Sequence, residues 1–274
     1  MDDLHKTVKM IKALRIQGAE NVAKAAIAAW SGCADKKKAE RALMNARPTE
    51  PMLRNSLRYL SRYGNADALM KMIREADAKI AGYGSNLIPN GSTVYTHCHS
   101  STAESIMLLS RKKGRDFTVN LTETRPSFQG RLTALALADH GIGVNMYVDS
   151  AALHAIKGAD LMLIGADAIT AAGSAINKIG SNLFAGIARR FEIPVYVASS
   201  VMKFDPETVY GRLERIEARS GAEVWNVHKR NIHIVNKVFE EVEPKNINAF
   251  ITEFGVIDSG SLMDEIRRHY GWMF

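Results

Sequence analysis

The chain has 274 residues, of which 46% are hydrophobic and 24% charged, and its formal net charge is +7. This length allows one large α/β domain beside a smaller one, with a core that needs neither disulfides nor metals. No stretch approaches the run of about 20 apolar residues that spans a bilayer, so the composition excludes an integral membrane protein.

The N-terminal residues and the cysteines predict a cytoplasmic protein. Asp2 and Asp3 introduce early acids, and the basic-then-apolar order of a secretory signal is absent. Cys33 and Cys98 lie far apart and lack metal-ligand spacing, which suits a reducing compartment. We interpret Cys33 as inert.

The positive charge suits either nucleic acid or phosphorylated metabolites, and its sign alone does not choose between them. The basic residues come in short clusters, such as 36–38 and 111–113, with acids nearby and without a stripe of stacking aromatic residues. We interpret these clusters as solvated helix ends. The expected partners therefore include neither nucleic acid nor a membrane.

Residues 1–88 are predicted to form a helical N-terminal domain. Apolar residues such as Val8 and Ile11 recur at three- and four-residue steps, and β-branched runs are absent. One internal break is predicted, where Pro48 and Pro51 end one helix and begin the next.

Residues 89–274 are predicted to form an α/β domain. Short apolar runs alternate with stretches of helical length, such as 131–140 and 182–191, and this alternation favours a Rossmann-like, doubly wound parallel sheet. The predicted strands are Thr93–Thr96, Phe117–Leu121, Gly143–Val148, Leu161–Ile164, Val195–Ala198 and Ala249–Thr252.

Ligands bind such sheets at the carboxyl ends of the strands, where this chain is unusually polar. Cys98 follows the first strand and precedes a predicted helix start near Ser100, so nearby cations and the helix N-terminus would lower its thiol pKa. A buried structural cysteine is the alternative. His97 and His99 flank Cys98 but would point to opposite faces of an extended strand, which makes a poor metal chelate.

Two further segments at this rim carry candidate chemistry. Asp167 follows an apolar strand in a tight turn that would raise a carboxyl pKa for general-acid use, with a helix N-cap as the alternative. Residues 173–180 are predicted to form a flexible turn that brings Asn177 and Lys178 before a helix starting near Ser181, an arrangement that suits a phosphate. These glycines match neither a dinucleotide fingerprint nor a nucleotide-hydrolysing phosphate loop.

Together the rim segments resemble the ribose-1,5-bisphosphate isomerases. The superfamily also holds methylthioribose-1-phosphate isomerases and the regulatory subunits of translation initiation factor 2B. The resemblance covers nearly the whole C-terminal domain, in order and with similar spacing. The segments that carry it are Thr96–Ser100, Thr122–Pro126 with Gln129-Gly130, Val148–Ala152, Gly165–Asp167, Ile176–Gly180, Lys203–Pro206 and Ile251–Glu253.

The resemblance implies Cys98 as proton acceptor and Asp167 as proton donor. Gln17 stands where the family has arginine, and Glu20 adds a negative charge beside it. The implied substrate-binding residues are Gln17, Gly18, Ala19, Glu20, Arg47, Ser100, Ser101, Thr102, Asn177, Lys178 and Lys203.

The implied activity is the isomerisation of ribose 1,5-bisphosphate to ribulose 1,5-bisphosphate in nucleoside monophosphate breakdown, without metal or organic cofactor. The resemblance also implies a homo-oligomer, either dimer or hexamer, and makes AMP a candidate activator. The apolar segment 270–274 is a candidate for docking on a neighbouring copy. Two alternatives stay open: methylthioribose-1-phosphate isomerase and a non-catalytic regulatory subunit. Regulatory relatives commonly lack the cysteine or the aspartate, whereas this chain has both.

Overall fold

A computed structural model describes residues 3–212 and 219–274. Its α-helices are α1 (Asp3–Lys12), α2 (Ala19–Gly32), α3 (Lys36–Met44), α4 (Pro51–Tyr63), α5 (Ala66–Ser85), α6 (Ser101–Lys112), α7 (Gln129–Asp139), α8 (Ala152–Lys157), α9 (Ser181–Arg190) and α10 (Leu262–Tyr270). Within those ranges, no helix has both the length and the apolar character needed to cross a membrane.

The segment before residue 88 is helical, as predicted, but it is interrupted four times rather than once. Local capping explains the additional breaks. Asp35 and Asn65 each accept a hydrogen bond from a backbone N–H in the first turn of the following helix. Gly64 ends α4 with a left-handed backbone at φ 65°, a conformation that costs glycine little. Pro51 occupies the first turn of α4, as expected.

The six predicted strands all lie in one sheet. Its members are β1 (Ser92–Thr96), β2 (Phe117–Thr122), β3 (Gly143–Tyr147), β4 (Leu161–Gly165), β7 (Val195–Ala198), β9 (Ala249–Thr252) and β10 (Gly255–Ile257). The order is β10-β9-β7-β4-β1-β2-β3, and β10 is an antiparallel edge strand that was not predicted. The chain winds outward from β1 in one direction and from β4 in the other, so the Rossmann-like prediction is confirmed.

A second, three-stranded sheet was missed, and the prediction of a flexible turn over residues 173–180 is wrong for its central half, 175–178. Residues Ala175–Lys178 form β6, which pairs antiparallel with β5 (Ala168–Ile169) and β8 (Phe239–Val242). The partner β8 lies some sixty residues further along the chain, so no local pattern reveals the pairing. The helix start at Ser181 is as predicted.

The N-terminal helices pack directly on the sheet domain. One hydrophobic cluster includes Leu57 of α4 together with Phe204, which follows β7. Asn55 joins the same elements, because its buried side-chain amide donates to the carbonyls of Met202 and Phe204 at 2.9 and 2.7 Å. This contact fixes the backbone on both sides of Lys203. The division into domains 1–88 and 89–274 stays a prediction.

The C-terminal aromatic residues pack against the same chain, and docking of residues 270–274 on a neighbouring copy stays a prediction. The Trp272 ring lies edge-on to Tyr59 with centroids 5.4 Å apart. The Phe274 ring lies 5.7 Å from that of Phe204. Arg58 of α4 also donates to the Met273 carbonyl at 3.0 Å. A homo-oligomer remains a prediction as well.

Candidate active site

A cavity of about 410 Å³ opens where the doubly wound sheet reverses direction, at the carboxyl ends of β1 and β4. Cys98 follows β1 and Asp167 follows β4, so the two candidate catalytic residues come from adjacent strands. Of the predicted binding residues, all but Thr102 line this cavity: Gln17, Gly18, Ala19, Glu20, Arg47, Ser100, Ser101, Asn177, Lys178 and Lys203. Thr102 is buried in the first turn of α6.

Cys98 has a backbone conformation that few non-glycine residues adopt, with φ 70°. Its N–H donates to Thr124 Oγ1 at 3.0 Å, and Thr124 itself has φ 62°. The thiol is only 8% exposed and donates to Gln129 Oε1 at 3.4 Å. Strained backbone held by specific contacts is typical of functional positions, so these contacts support a role for Cys98 beyond packing.

His97, next to Cys98, is held by hydrogen bonds at both ring nitrogens. Its Nε2–H donates to the Ile179 carbonyl at 3.0 Å, and its Nδ1 accepts from Thr122 Oγ1 at 2.8 Å. Burial lowers the pKa of His97 to about 4, so the ring stays neutral. His99 instead contacts Thr133 Oγ1 at 3.1 Å.

The thiol pKa of Cys98 is raised rather than lowered as expected, because the side chain is buried. Burial raises the pKa of Cys98 to about 12, and the negative charges of Asp167 and Asp149 raise it further. The Lys178 ammonium lowers it, but by less than burial raises it. The thiol is therefore protonated in the empty cavity.

We expect Cys98 to react slowly with iodoacetamide at neutral pH, since only the thiolate attacks. In a Cys33→Ser background, the rate should rise about tenfold per pH unit up to at least pH 10. Mass spectrometry of the Cys98 peptide over a pH series measures this. A plateau below pH 8 would show that the thiol is acidic in the free protein.

Asp167 lies where β4 turns into β5, with its backbone N–H donating to the Ile176 carbonyl of β6 at 2.8 Å. A strand follows it rather than a helix, so the N-cap alternative is wrong. The turn is close to the β1 loop, because a Cβ on Gly165 would overlap the Ser100 hydroxyl. The Asp167 charge raises the pKa values of both Cys98 and Lys178, which places the three groups within electrostatic range.

Lys178 is buried at the end of β6, with its Nζ 4.7 Å from the ring centroid of Phe239. Burial lowers its pKa. Asn177 donates to Ser181 Oγ at 2.9 Å, and Ser181 donates to the Lys178 carbonyl at 2.6 Å. These bonds hold the strand end against the start of α9.

Two further cations, Lys203 and Arg47, line the cavity. Lys203 Nζ donates to the Ala166 carbonyl at 2.7 Å, directly beside Asp167. Arg47 comes from the loop before α4, as the resemblance implied, and its Nη1 lies 3.9 Å from Glu50 Oε2. The segment after β7 and the loop before α4 therefore both bring positive charge to the cavity.

The segment 17–20 brings one carboxylate, Glu20, and no cation to the cavity, which disfavours a phosphate at this end. Gln17 donates to the Leu14 carbonyl at 2.7 Å, and Glu20 pairs with Lys24. Burial, together with the charge and a hydrogen bond of Glu20, raises the pKa of Asp77 to about 7, so Asp77 is only partly ionised near neutrality. Arg15 lines the same end of the cavity and supplies a positive charge there.

The sequence reasoning gave no role to several lining residues. Gln129 belongs to one of the motifs and was assigned no role, although its Oε1 accepts the hydrogen bond of the Cys98 thiol. Arg219 and Phe239 come from far along the chain and carry no local signal, yet the Arg219 charge lowers the pKa of Lys178. Among the described residues, the cavity's cations are Arg15, Arg47, Lys178, Lys203 and Arg219.

The model of the Initiation factor 2 subunit family matches residues 33–259, which include the rim loops from Cys98 to Glu253. The chain belongs to this family. Membership confirms the superfamily that the motifs indicated. The family extends over both the helical segment and the sheet, so Arg47 and Cys98 lie within a single matched unit.

Individual relatives cover almost the whole chain. The ribose 1,5-bisphosphate isomerase of Pyrococcus furiosus is 37% identical over 96% of this chain and 88% of its own. The enzyme of the same name from Methanocaldococcus jannaschii is 36% identical over 100% of this chain and 97% of its own. A crystal structure titled translation initiation factor eIF-2B, from Pyrococcus horikoshii, superposes with a TM-score of 0.83 at 25% identity, covering 94% of this chain and 98% of the other. The resemblance to the isomerases is thus confirmed.

Proposed function

We propose that this family member is an aldose–ketose isomerase that converts ribose 1,5-bisphosphate to ribulose 1,5-bisphosphate. The observation that carries the proposal is the meeting of Cys98 and Asp167 in one cavity at the strand-order reversal, with Lys178 in electrostatic range of both. A non-catalytic regulatory subunit has no need of a thiol and a carboxylate in this arrangement. The full-length isomerase relatives support the same activity.

The ring opens by cleavage of the bond between C1 and the ring oxygen. Because the anomeric oxygen carries a phosphate, this opening cannot give a free aldehyde. Protonated Asp167 donates to the ring oxygen as that bond breaks. The Cys98 thiolate removes the proton from C2, which leaves an enol phosphate across C1 and C2. Cys98 returns this proton to C1, while the C2 hydroxyl proton passes to the Asp167 carboxylate. The product is the ketose, and both residues regain their starting protonation.

The thiolate must form inside a cavity that favours the thiol. We assign its stabilisation to the Lys178 ammonium, whose charge lowers the pKa of Cys98 and forms a thiolate–ammonium pair once the thiol has lost its proton. Opposite charges stabilise each other strongly at a site with little water. Lys178 thereby activates Cys98 as well as contacting the substrate.

The distribution of charge favours a substrate with a phosphate at each end. Arg15, Arg47, Lys178, Lys203 and Arg219 all line the cavity, which is more positive charge than one phosphate dianion balances. A methylthio group carries no charge to balance these cations, whereas a second phosphate does. We also expect activation by AMP, a role in nucleoside monophosphate breakdown, a cytoplasmic location and a homo-oligomeric state.

The decisive assay follows conversion of synthetic α-ribose 1,5-bisphosphate to ribulose 1,5-bisphosphate by the purified protein, with and without AMP. 5-Methylthioribose 1-phosphate serves as the competing substrate. We expect turnover of the bisphosphate and little of the methylthio sugar. Tight binding of a phosphorylated sugar without turnover of either would contradict the proposal and favour a regulatory subunit.

A further inference from the structure

Glu50 is a buried carboxyl group to which the isomerase mechanism gives no role. It is the N-cap residue of α4, yet its side chain makes no capping hydrogen bond to the helix. Instead the side chain is buried, with the residue only 3% exposed. Glutamate is also uncommon as an N-cap, where serine, threonine, aspartate and asparagine predominate. The position therefore calls for an explanation outside helix capping.

Glu50 lies close to two cations that line the cavity, Arg47 and Lys203. Arg47 Nη1 lies 3.9 Å away, and the charges of Lys203 and Asp167 act on the carboxyl group from the rim of the sheet. Arg54 also acts on it from the next turn of α4 and pairs with Asp205 at 3.0 Å. Arg47 and Lys203 line the cavity, whereas Glu50 does not.

The Glu50 carboxyl group is poorly satisfied in this position. Its Oε1 is buried and has no hydrogen-bond partner among the described residues. Burial raises the pKa of Glu50 to about 7, with Asp167 adding to the rise and Arg47, Lys203 and Arg54 opposing it. The fraction of Glu50 that is protonated therefore depends on how strongly these three cations stabilise its ionised form.

We propose that Glu50 is a proton-coupled counter-ion of the substrate phosphate, balancing Arg47 and Lys203 in the empty cavity and taking up a proton when a phosphate dianion binds them. The inference rests on the proposed function only in that the ligand is a phosphorylated sugar. Glu50 acts through the two cations and is a positioning residue, since it lies outside the cavity lining. Uptake of the proton prevents two anions from competing for the same buried cations.

Phosphate binding is coupled to proton uptake at Glu50, so the affinity for phosphate falls as the pH rises. At pH 8, one unit above its pKa, Glu50 is about nine-tenths ionised in the empty cavity. A sugar phosphate is already a dianion at that pH, because its second pKa is about 6. Bound phosphate raises the Glu50 pKa, so binding takes up close to one proton, and affinity falls by up to about tenfold per pH unit above neutrality.

The Glu20–Asp77 pair is the competing source of such a proton, because Asp77 has a pKa of about 7 and also senses the charge of Lys203. An Asp77→Asn variant separates the two sources. The matched change at the proposed site is Glu50→Gln, which keeps the shape of the side chain and removes its charge.

The test is titration calorimetry with ribose 1,5-bisphosphate at pH 8, in two buffers of different ionisation enthalpy. All proteins carry Cys98→Ser, which prevents turnover and removes the thiol titration. We expect uptake of about one proton in this background and with Asp77→Asn, and none with Glu50→Gln. Glu50→Gln should also bind more tightly at pH 8, and its Kd should vary little from pH 7.5 to 9.

Each other result has a clear meaning. Uptake that survives Glu50→Gln and disappears with Asp77→Asn overturns the proposal in favour of the other carboxyl pair. Binding without uptake in the background protein overturns it as well and leaves the isomerase function standing. Failure to bind the bisphosphate overturns the function together with this inference. Because the pH dependence of Kd is measured without altering residue 50, the test does not depend on the folding of Glu50→Gln.

Discussion

Cys98→Ser and Asp167→Asn are each expected to lower kcat for ribose 1,5-bisphosphate by about 10³-fold or more, with little change in the melting temperature. Serine is far less acidic than a thiol, and asparagine cannot donate a carboxyl proton, so each variant removes one proton-transfer step of the mechanism. Steady-state kinetics and thermal unfolding of the same preparations provide the measurement. Both substitutions are nearly isosteric, so the cavity and its hydrogen bonds should persist.

The matched controls are Cys33→Ser and Asp139→Asn, which change the same residue types far from the cavity. They should retain full activity. The double variant Cys98→Ser/Asp167→Asn should be scarcely less active than the weaker single variant, because the two residues act as one unit. Retention of more than about a tenth of the activity in either single variant would contradict the assigned proton transfers.

Lys178→Met is expected to reduce kcat by about 10² to 10⁴-fold, because it removes the charge that stabilises the thiolate. The loss should be smaller at high pH, since hydroxide can then deprotonate Cys98 directly. The kcat of the variant should therefore rise through pH 9 to 10, where the wild-type profile is flatter. Full pH–rate profiles of both proteins test this.

Lys237→Met is the control for Lys178→Met, since Lys237 is exposed and lies outside the cavity. It should leave both kcat and its pH profile unchanged. A Lys178→Met protein with raised KM but normal kcat would show that Lys178 only binds substrate, and the proposed activation of Cys98 would be wrong.

Much of the site was predictable because its residues follow strands whose patterns are local. The six parallel strands each have their own apolar run, and the carboxyl ends of parallel strands meet at one edge of a sheet. Cys98 and Asp167 could therefore be placed together without coordinates. Arg47 was identified through the resemblance, and the structure brings it to the same cavity.

The sequence by itself determined the α/β class, the parallel strands and the convergence of Cys98 and Asp167, since these depend on runs of a few residues and on a general property of wound sheets. The tertiary structure decided the β6–β8 pairing, the thiol hydrogen bond to Gln129 and the burial of Glu50. It also reversed the expected pKa shift of Cys98. Each of these depends on which distant segments exclude water from a group, and local sequence does not carry that information.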